Sequence, residues 1–197
     1  MGFIKRMILE ELGAKAVDIY DEHKRNTSGV SALVNKSNSQ YNNTLIIEKK
    51  TIALNRSFVI SDENRKKKYK VKTNSFTFGH PSMSLLDMKD HEIGKVVFAS
   101  KWGKDSYSLY LEGEKIGALT LKSLSKYRLE LNNSFMFVAG NFMQNRFHVE
   151  DSSGSEIMQF SEAYSGVDTY VLGIKYKEHE IIGIMIVMAI DLEQSKN

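Results

Sequence analysis

The chain has 197 residues and a mass of 22.4 kDa, and its 42% hydrophobic and 26% charged content excludes a wholly disordered or fibrous protein while leaving room for one main core. It contains no cysteine, which rules out a disulfide framework, cysteine-ligated zinc or iron, and a thiol nucleophile. A single proline argues against proline-rich linkers, and a formal net charge of +3 is too small to name a partner.

The chain opens Met1 Gly2 Phe3 Ile4 Lys5 Arg6, like a signal peptide, but Glu10 and Glu11 interrupt before an apolar segment of secretory length appears. Arg6 stands where a myristoylation signal needs Ser or Thr. The expected location is therefore cytoplasmic. Within residues 1–25, Ile4, Ile8, Leu12, Ala16 and Ile19 recur at helical spacing and form one apolar stripe. The charges around that stripe balance, whereas a membrane-surface helix usually has a basic polar face. This predicts an amphipathic helix that docks on its own domain, on a partner protein or on a second copy of the chain. Residues 26–43 are rich in Asn and Ser, lack acidic residues and show no sustained period, so they read as a linker.

From Thr44 onward the pattern is that of an all-β domain, residues 44–197, in which short runs rich in Val, Ile, Phe, Tyr and Thr are separated by Asn, Asp, Ser and Gly. Strands are expected near 45–50, 57–61, 68–74, 82–86, 93–99, 106–111, 115–121, 127–131, 135–139, 146–150, 155–160 and 169–174. Glu112 Gly113 Glu114, Asn132 Asn133 and Asp151 Ser152 Ser153 Gly154 place turn-forming residues between those runs. Successive strands should therefore pair as antiparallel hairpins. Alternation in residues 68–72 and 127–131 gives each strand a wet and a dry face.

Residues 181–190 form an uninterrupted run of ten apolar residues. As a helix it would span about 15 Å, half of a hydrocarbon core, which is too short to cross a bilayer. Six of its ten positions are β-branched, so propensity alone would permit a strand. A helix is favoured by its length, by the lack of alternation, and by Glu178 and Glu180 where a helix dipole accepts negative charge. A closed sheet of twelve strands would also leave a lumen too wide for strand side chains to fill, since small barrels fill themselves at about eight. The expected fold is mainly β: a twelve-stranded antiparallel closed barrel threaded by a C-terminal hydrophobic helix, plus an N-terminal helix.

Several segments together resemble the LURP-one-related family, within the Tubby C-terminal-domain-like superfamily. They are Leu45 Ile46 Ile47 Glu48 Lys49 Lys50, Ser57 Phe58 Val59 Ile60 Ser61 Asp62 Glu63 Asn64, Phe76 Thr77 Phe78 Gly79, Phe137 Val138 Ala139 Gly140 Asn141 Phe142, and the closing Ala189 Ile190 Asp191. The resemblance spans about residues 44–193 and itself implies a twelve-stranded barrel around a central helix. Tubby domains bind phosphoinositide headgroups through basic surface residues, and related scramblases act at membranes. No Tubby headgroup motif maps residue by residue onto this chain.

No catalytic constellation stands out. His91 Glu92 and His179 Glu180 lack the second histidine of metalloprotease spacing, and no nucleophile elbow, phosphate loop or dinucleotide fingerprint is present. No cofactor, metal or enzymatic activity is expected. Asp151 Ser152 Ser153 Gly154 Ser155 Glu156 reads as a hairpin turn rather than a calcium loop.

Charge distribution is the unusual feature. Residues 49–72 carry nine basic and two acidic side chains, whereas residues 151–197 carry three basic and eight acidic ones. Alternation puts Lys68, Lys70 and Lys72 on one strand face with Lys66 in phase before them, and Arg56 and Arg65 lie nearby in sequence. These six form a candidate anion or lipid-headgroup site. A competing reading is a solvated face that discourages edge pairing. The expected partners are an anionic membrane surface, with the protein peripheral to it, or another protein. Nucleic acid is disfavoured because no ribonucleoprotein sequence accompanies the lysines.

Overall fold

A computed structural model describes residues 29–52, 55–74, 81–101, 104–123, 126–132, 134–164 and 167–195. The helix expected in residues 1–25 lies outside them.

Twelve strands follow one another as β1 (Asn43–Ile52), β2 (Asn55–Asp62), β3 (Lys67–Asn74), β4 (Ser82–Asp87), β5 (Glu92–Lys101), β6 (Lys104–Leu111), β7 (Glu114–Ser123), β8 (Lys126–Leu131), β9 (Ser134–Asn141), β10 (Arg146–Glu150), β11 (Glu156–Tyr164) and β12 (Val167–Ile174). Each pairs antiparallel with its sequence neighbours, and β1 pairs with β12 to close the barrel, with Leu45 opposite Leu172 and Ile46 opposite Val171. All twelve expected strands are present. The turn chemistry is local: between β6 and β7, Glu112 and Gly113 both take positive φ, 50° and 85°, the geometry of a two-residue hairpin loop.

The run that alternation could not decide is helical. Helix α2 (Glu180–Gln194) lies inside the barrel, and Gly183 through Leu192 are all buried. Inward-facing Leu45, Phe58, Val71, Leu85, Val96, Leu109 and Leu129 form one core with Ile184, Met185, Ile186 and Met188. A helix apolar on every side is stable here because sheet surrounds it, so it needs no wet face. Among the described residues no helix is long and apolar enough to cross a membrane.

The segment 26–43 departs from its expected role as a linker, because residues 29–38 form a helix, α1. Val30 and Val34 of α1 are buried against Ile46 of β1 and Val171 of β12, on the outer wall over the seam that closes the barrel. Ser37 Oγ hydrogen bonds Thr44 Oγ1 at 2.9 Å, and the Tyr41 hydroxyl donates to Glu156. Gly173 lets the segment approach this closely, since a Cβ there would lie 2.4 Å from Ser37 Oγ and 2.5 Å from the Tyr41 ring. An apolar stripe of Val30, Leu33 and Val34 spans about one turn, too short to show as a period in the sequence. Helices this short depend on tertiary packing for their stability.

Candidate functional site

Register defines the outer wall of β1–β5. Ile46 packs outward on α1, so Glu48 and Lys50 also face out, while Leu45 and Ile47 face in and Lys49 shares their side. Across the ladders Lys50 pairs with Ser57, Ser57 with Lys72, Lys72 with Ser84, and Ser84 with Lys95. Directly opposed residues share a face, so Lys50, Lys72 and Lys95 form a lateral row around the wall. Lys70 lies one step along β3 from it.

The six residues singled out from the sequence separate into two groups. Arg65, Lys66, Lys70 and Lys72 are on or beside the outer wall. Arg65 sits in the β2–β3 turn at φ 62° with its guanidinium 3.0 Å from Glu48. Lys70 and Lys72 share one carboxylate, Asp90, at 3.1 and 3.2 Å, and hydrogen bonds from the two ammonium groups hold the Asp90 carboxyl below its usual range. Lys66 is exposed in the turn, where its backbone N–H donates to Asp62. It is out of phase with the β3 lysines because the register shifts between Ile60 and Ser61.

Arg56 and Lys68 instead hold α2. At the start of the helix, Glu180 is 4% exposed and accepts hydrogen bonds from Lys68, from the Tyr69 hydroxyl at 2.7 Å and from Asn43. Burial alone would push its carboxyl up, but the three donors and the Lys68 charge together bring it below the usual value. Burial and the bond to Glu180 push the Tyr69 phenol up, keeping it a donor. At the other end Asp191 meets Lys49 at 2.5 Å and Arg56 at 3.3 Å, and Arg56 also donates to the Asp191 backbone carbonyl. The Tyr107 hydroxyl donates to Glu193, and Gln194 donates to the Phe142 carbonyl at 2.6 Å. Sequence reading missed Lys49, Tyr69 and Tyr107 as anchors. The only available signal was their phase with inward-facing apolar neighbours.

The Glu180 cluster has a defined pH signature. A carboxyl lowered on folding stabilises the protein above its unfolded pKa, and that stability is lost as pH falls through the folded value. Chemical unfolding below about pH 5 should therefore show a steeper loss of stability in the parent protein than in Glu180→Gln. Parallel curves would show that the cluster adds nothing in the ionised state.

Other polar features have structural roles. Asp151 accepts from the backbone N–H groups of Ser153 and Ser155, closing the expected hairpin turn. Among the described residues no group of three or more His, Asp or Glu is placed to hold a metal. Near the end of α2, the gap lined by Phe58, Phe147, Phe160, Tyr170 and Asp191 is about 20 Å³, room for one water. A larger open hollow of about 330 Å³ lies at the opposite mouth, where Asn42, Asn43, Asp62, Glu63, Lys68 and Lys177 give it a lining of mixed charge.

Comparisons with known proteins agree with this architecture. A family described as LURP-one-related matches residues 43–191, nearly the whole barrel with its helix. No curated protein matches the chain. Among solved structures, the X-ray structure of a protein from Arabidopsis thaliana is similar, with a TM-score of 0.56 and 16% sequence identity. The similarity covers 78% of this chain and 92% of that one, and at such identity it speaks to the fold alone.

Proposed function

We propose that this chain, which belongs to the LURP-one-related family, is a non-enzymatic binding module that docks on anionic phospholipid surfaces, peripheral to a membrane facing the cytoplasm. One observation carries the reading: the outer wall gathers Lys50, Lys70, Lys72 and Lys95 from three strands, and Asp90 is the carboxylate that Lys70 and Lys72 share. Glu48 and Glu92 also lie on this wall, and with Arg65 and Lys66 in the adjoining turn the six cations of the patch outnumber its three carboxylates. The barrel interior is packed with α2, which leaves the outer surface as the place for recognition.

Each ammonium near an anionic leaflet contributes about 1 kcal/mol. Reversing three of them should therefore weaken binding by on the order of a hundredfold or more. The test is cosedimentation with vesicles of phosphatidylcholine, with and without phosphatidylserine, at low and high salt. The variant is Lys66→Glu/Lys70→Glu/Lys72→Glu. Lys68 is left unchanged because a carboxylate there would face Glu180 and destabilise α2. The parent should bind only the anionic vesicles and bind them less at high salt. Equal binding by parent and variant would eliminate the patch. No binding by the parent, together with a light-scattering mass above that of one chain, would favour a self-associating scaffold instead.

A further inference from the structure

The two ends of the barrel differ in charge and in what they expose. Strands β1, β3, β7 and β9 run toward the end where α2 terminates, and β8 and β10 start from it. Lys50 stands near this rim on one side, and Lys122, Lys126 and Arg146 on the other. Lys50, Lys122 and Arg146 are exposed, and Lys126 places its ammonium 4.2 Å over the Phe137 ring on the outer wall. Acidic side chains at this rim include Glu162, Asp168 and Asp105. The opposite end carries Glu63, Asp90, Glu112, Asp151 and Glu178 in its connections, balanced there by Arg65, Lys66, Lys89, Lys175 and Lys177, and it exposes Met88 and Tyr176 only in part, at 41% and 42%.

Between β9 and β10, at the basic rim, the connection is a single 3₁₀ turn, Phe142–Gln144. It holds one apolar side chain inward and one outward: Phe142 is 8% exposed, while Met143 is 96% exposed. The turn is rigidly held. Asn141 caps it through the Gln144 N–H, Asn145 closes it in the left-handed region at φ 49°, and Gln194 of α2 bonds both the Phe142 carbonyl and Asn145. Phe142 packs edge-on against Tyr127 at 4.9 Å. A single exposed apolar residue is ordinary on a protein surface. This one is presented by a turn pinned to the core, at the more basic end of the molecule.

We propose that the barrel docks end-on, with Met143 entering the boundary between headgroups and acyl chains of an anionic bilayer and the rim cations meeting lipid phosphates. The proposal rests on the lipid-docking reading above and adds the docked orientation and an apolar anchor. A flexible thioether suits insertion into disordered lipid, and interfacial binding combines apolar burial with attraction to anionic headgroups. Lys50 belongs both to the basic wall and to this rim, so end-on docking brings that wall's edge to the membrane, while Lys72 turns its ammonium toward Asp90 and the other end.

The chain has no cysteine, so Met143→Cys gives a single attachment point for a polarity-sensitive dye. Ser152→Cys, in the exposed turn at the opposite end, serves as the comparison. With phosphatidylserine-containing vesicles, the dye at position 143 should shift to the blue and be quenched by brominated acyl chains, while the dye at 152 should not change. An unlabelled Met143→Glu variant should lose affinity several-fold, most visibly at high salt where electrostatic attraction is screened, with its thermal midpoint unchanged. If vesicles still sediment the parent but emission at 143 is unmoved, or moves equally at 152, end-on insertion is wrong and lipid docking stands. If the parent does not sediment at all, both readings fall.

Discussion

A chain ending at Tyr176 is expected not to fold, although all twelve strands would remain. Without α2, the inward faces of those strands would surround a lumen that their own side chains cannot fill. The helix buries seven large apolar side chains, Ile184, Met185, Ile186, Val187, Met188, Ile190 and Leu192. At about 1.5–3 kcal/mol for each, the loss is roughly 10–20 kcal/mol. Total stability of a domain is about 5–15 kcal/mol, so the deficit is of the same size or larger. The truncated chain should show no cooperative denaturant transition and should bind hydrophobic dyes strongly. A sigmoidal unfolding curve from that chain would mean that the barrel closes without its helix.

Asp191→Ala should be the most damaging single substitution of a charged residue, costing about 3–5 kcal/mol. A carboxylate in the last turns of a helix opposes the dipole, so its burial there calls for specific partners. Lys49 from β1 and Arg56 from β2 supply them, at 2.5 and 3.3 Å, with side-chain exposures of only 15% and 28%. Removing the carboxylate leaves two cations facing each other at the barrel mouth. Arg56 keeps its bond to the backbone carbonyl at position 191, so Lys49 bears most of the loss. The measurement is the guanidinium midpoint of Asp191→Ala beside Lys49→Met/Arg56→Met/Asp191→Leu. The single variant should fall well below the parent, and the triple variant should recover much of the difference, because apolar replacement of a buried ion group is often neutral. A shift under 1 kcal/mol in Asp191→Ala would show the pairs to be solvated and dispensable.

These two expectations concern the parts of the molecule most legible in the sequence. Residues 181–190 are apolar on all sides, and that feature alone requires a complete wrapping. Period-two alternation and the turn residues Glu112 Gly113 and Asp151–Gly154 located the wrapping strands. The Ala189 Ile190 Asp191 ending also pointed to the family, although the reason for its aspartate became visible only with Lys49 and Arg56 beside it.

The candidate surface was legible only in part. Alternation correctly put Lys70 and Lys72 on the outer wall, but neither Lys95 nor Asp90 could be joined to them from the sequence. Asp90 reaches β3 from a turn about twenty residues away, and Lys95 joins the row only through Ser84 of β4, which lies between it and Lys72. Lys68 and Arg56 had the same charge and nearby positions, yet a register shift and an inward phase commit them to α2. Helix α1 was hidden because its stripe spans one turn and its stability comes from the β1–β12 seam.

The sequence by itself determined which segments are strands, which run must be buried, and where the hairpins turn, because those follow from side-chain periodicity and local backbone preference. Only the tertiary structure decided which cations face solvent and which hold the central helix, since that depends on strand register, and register is a property of pairs of segments rather than of either one.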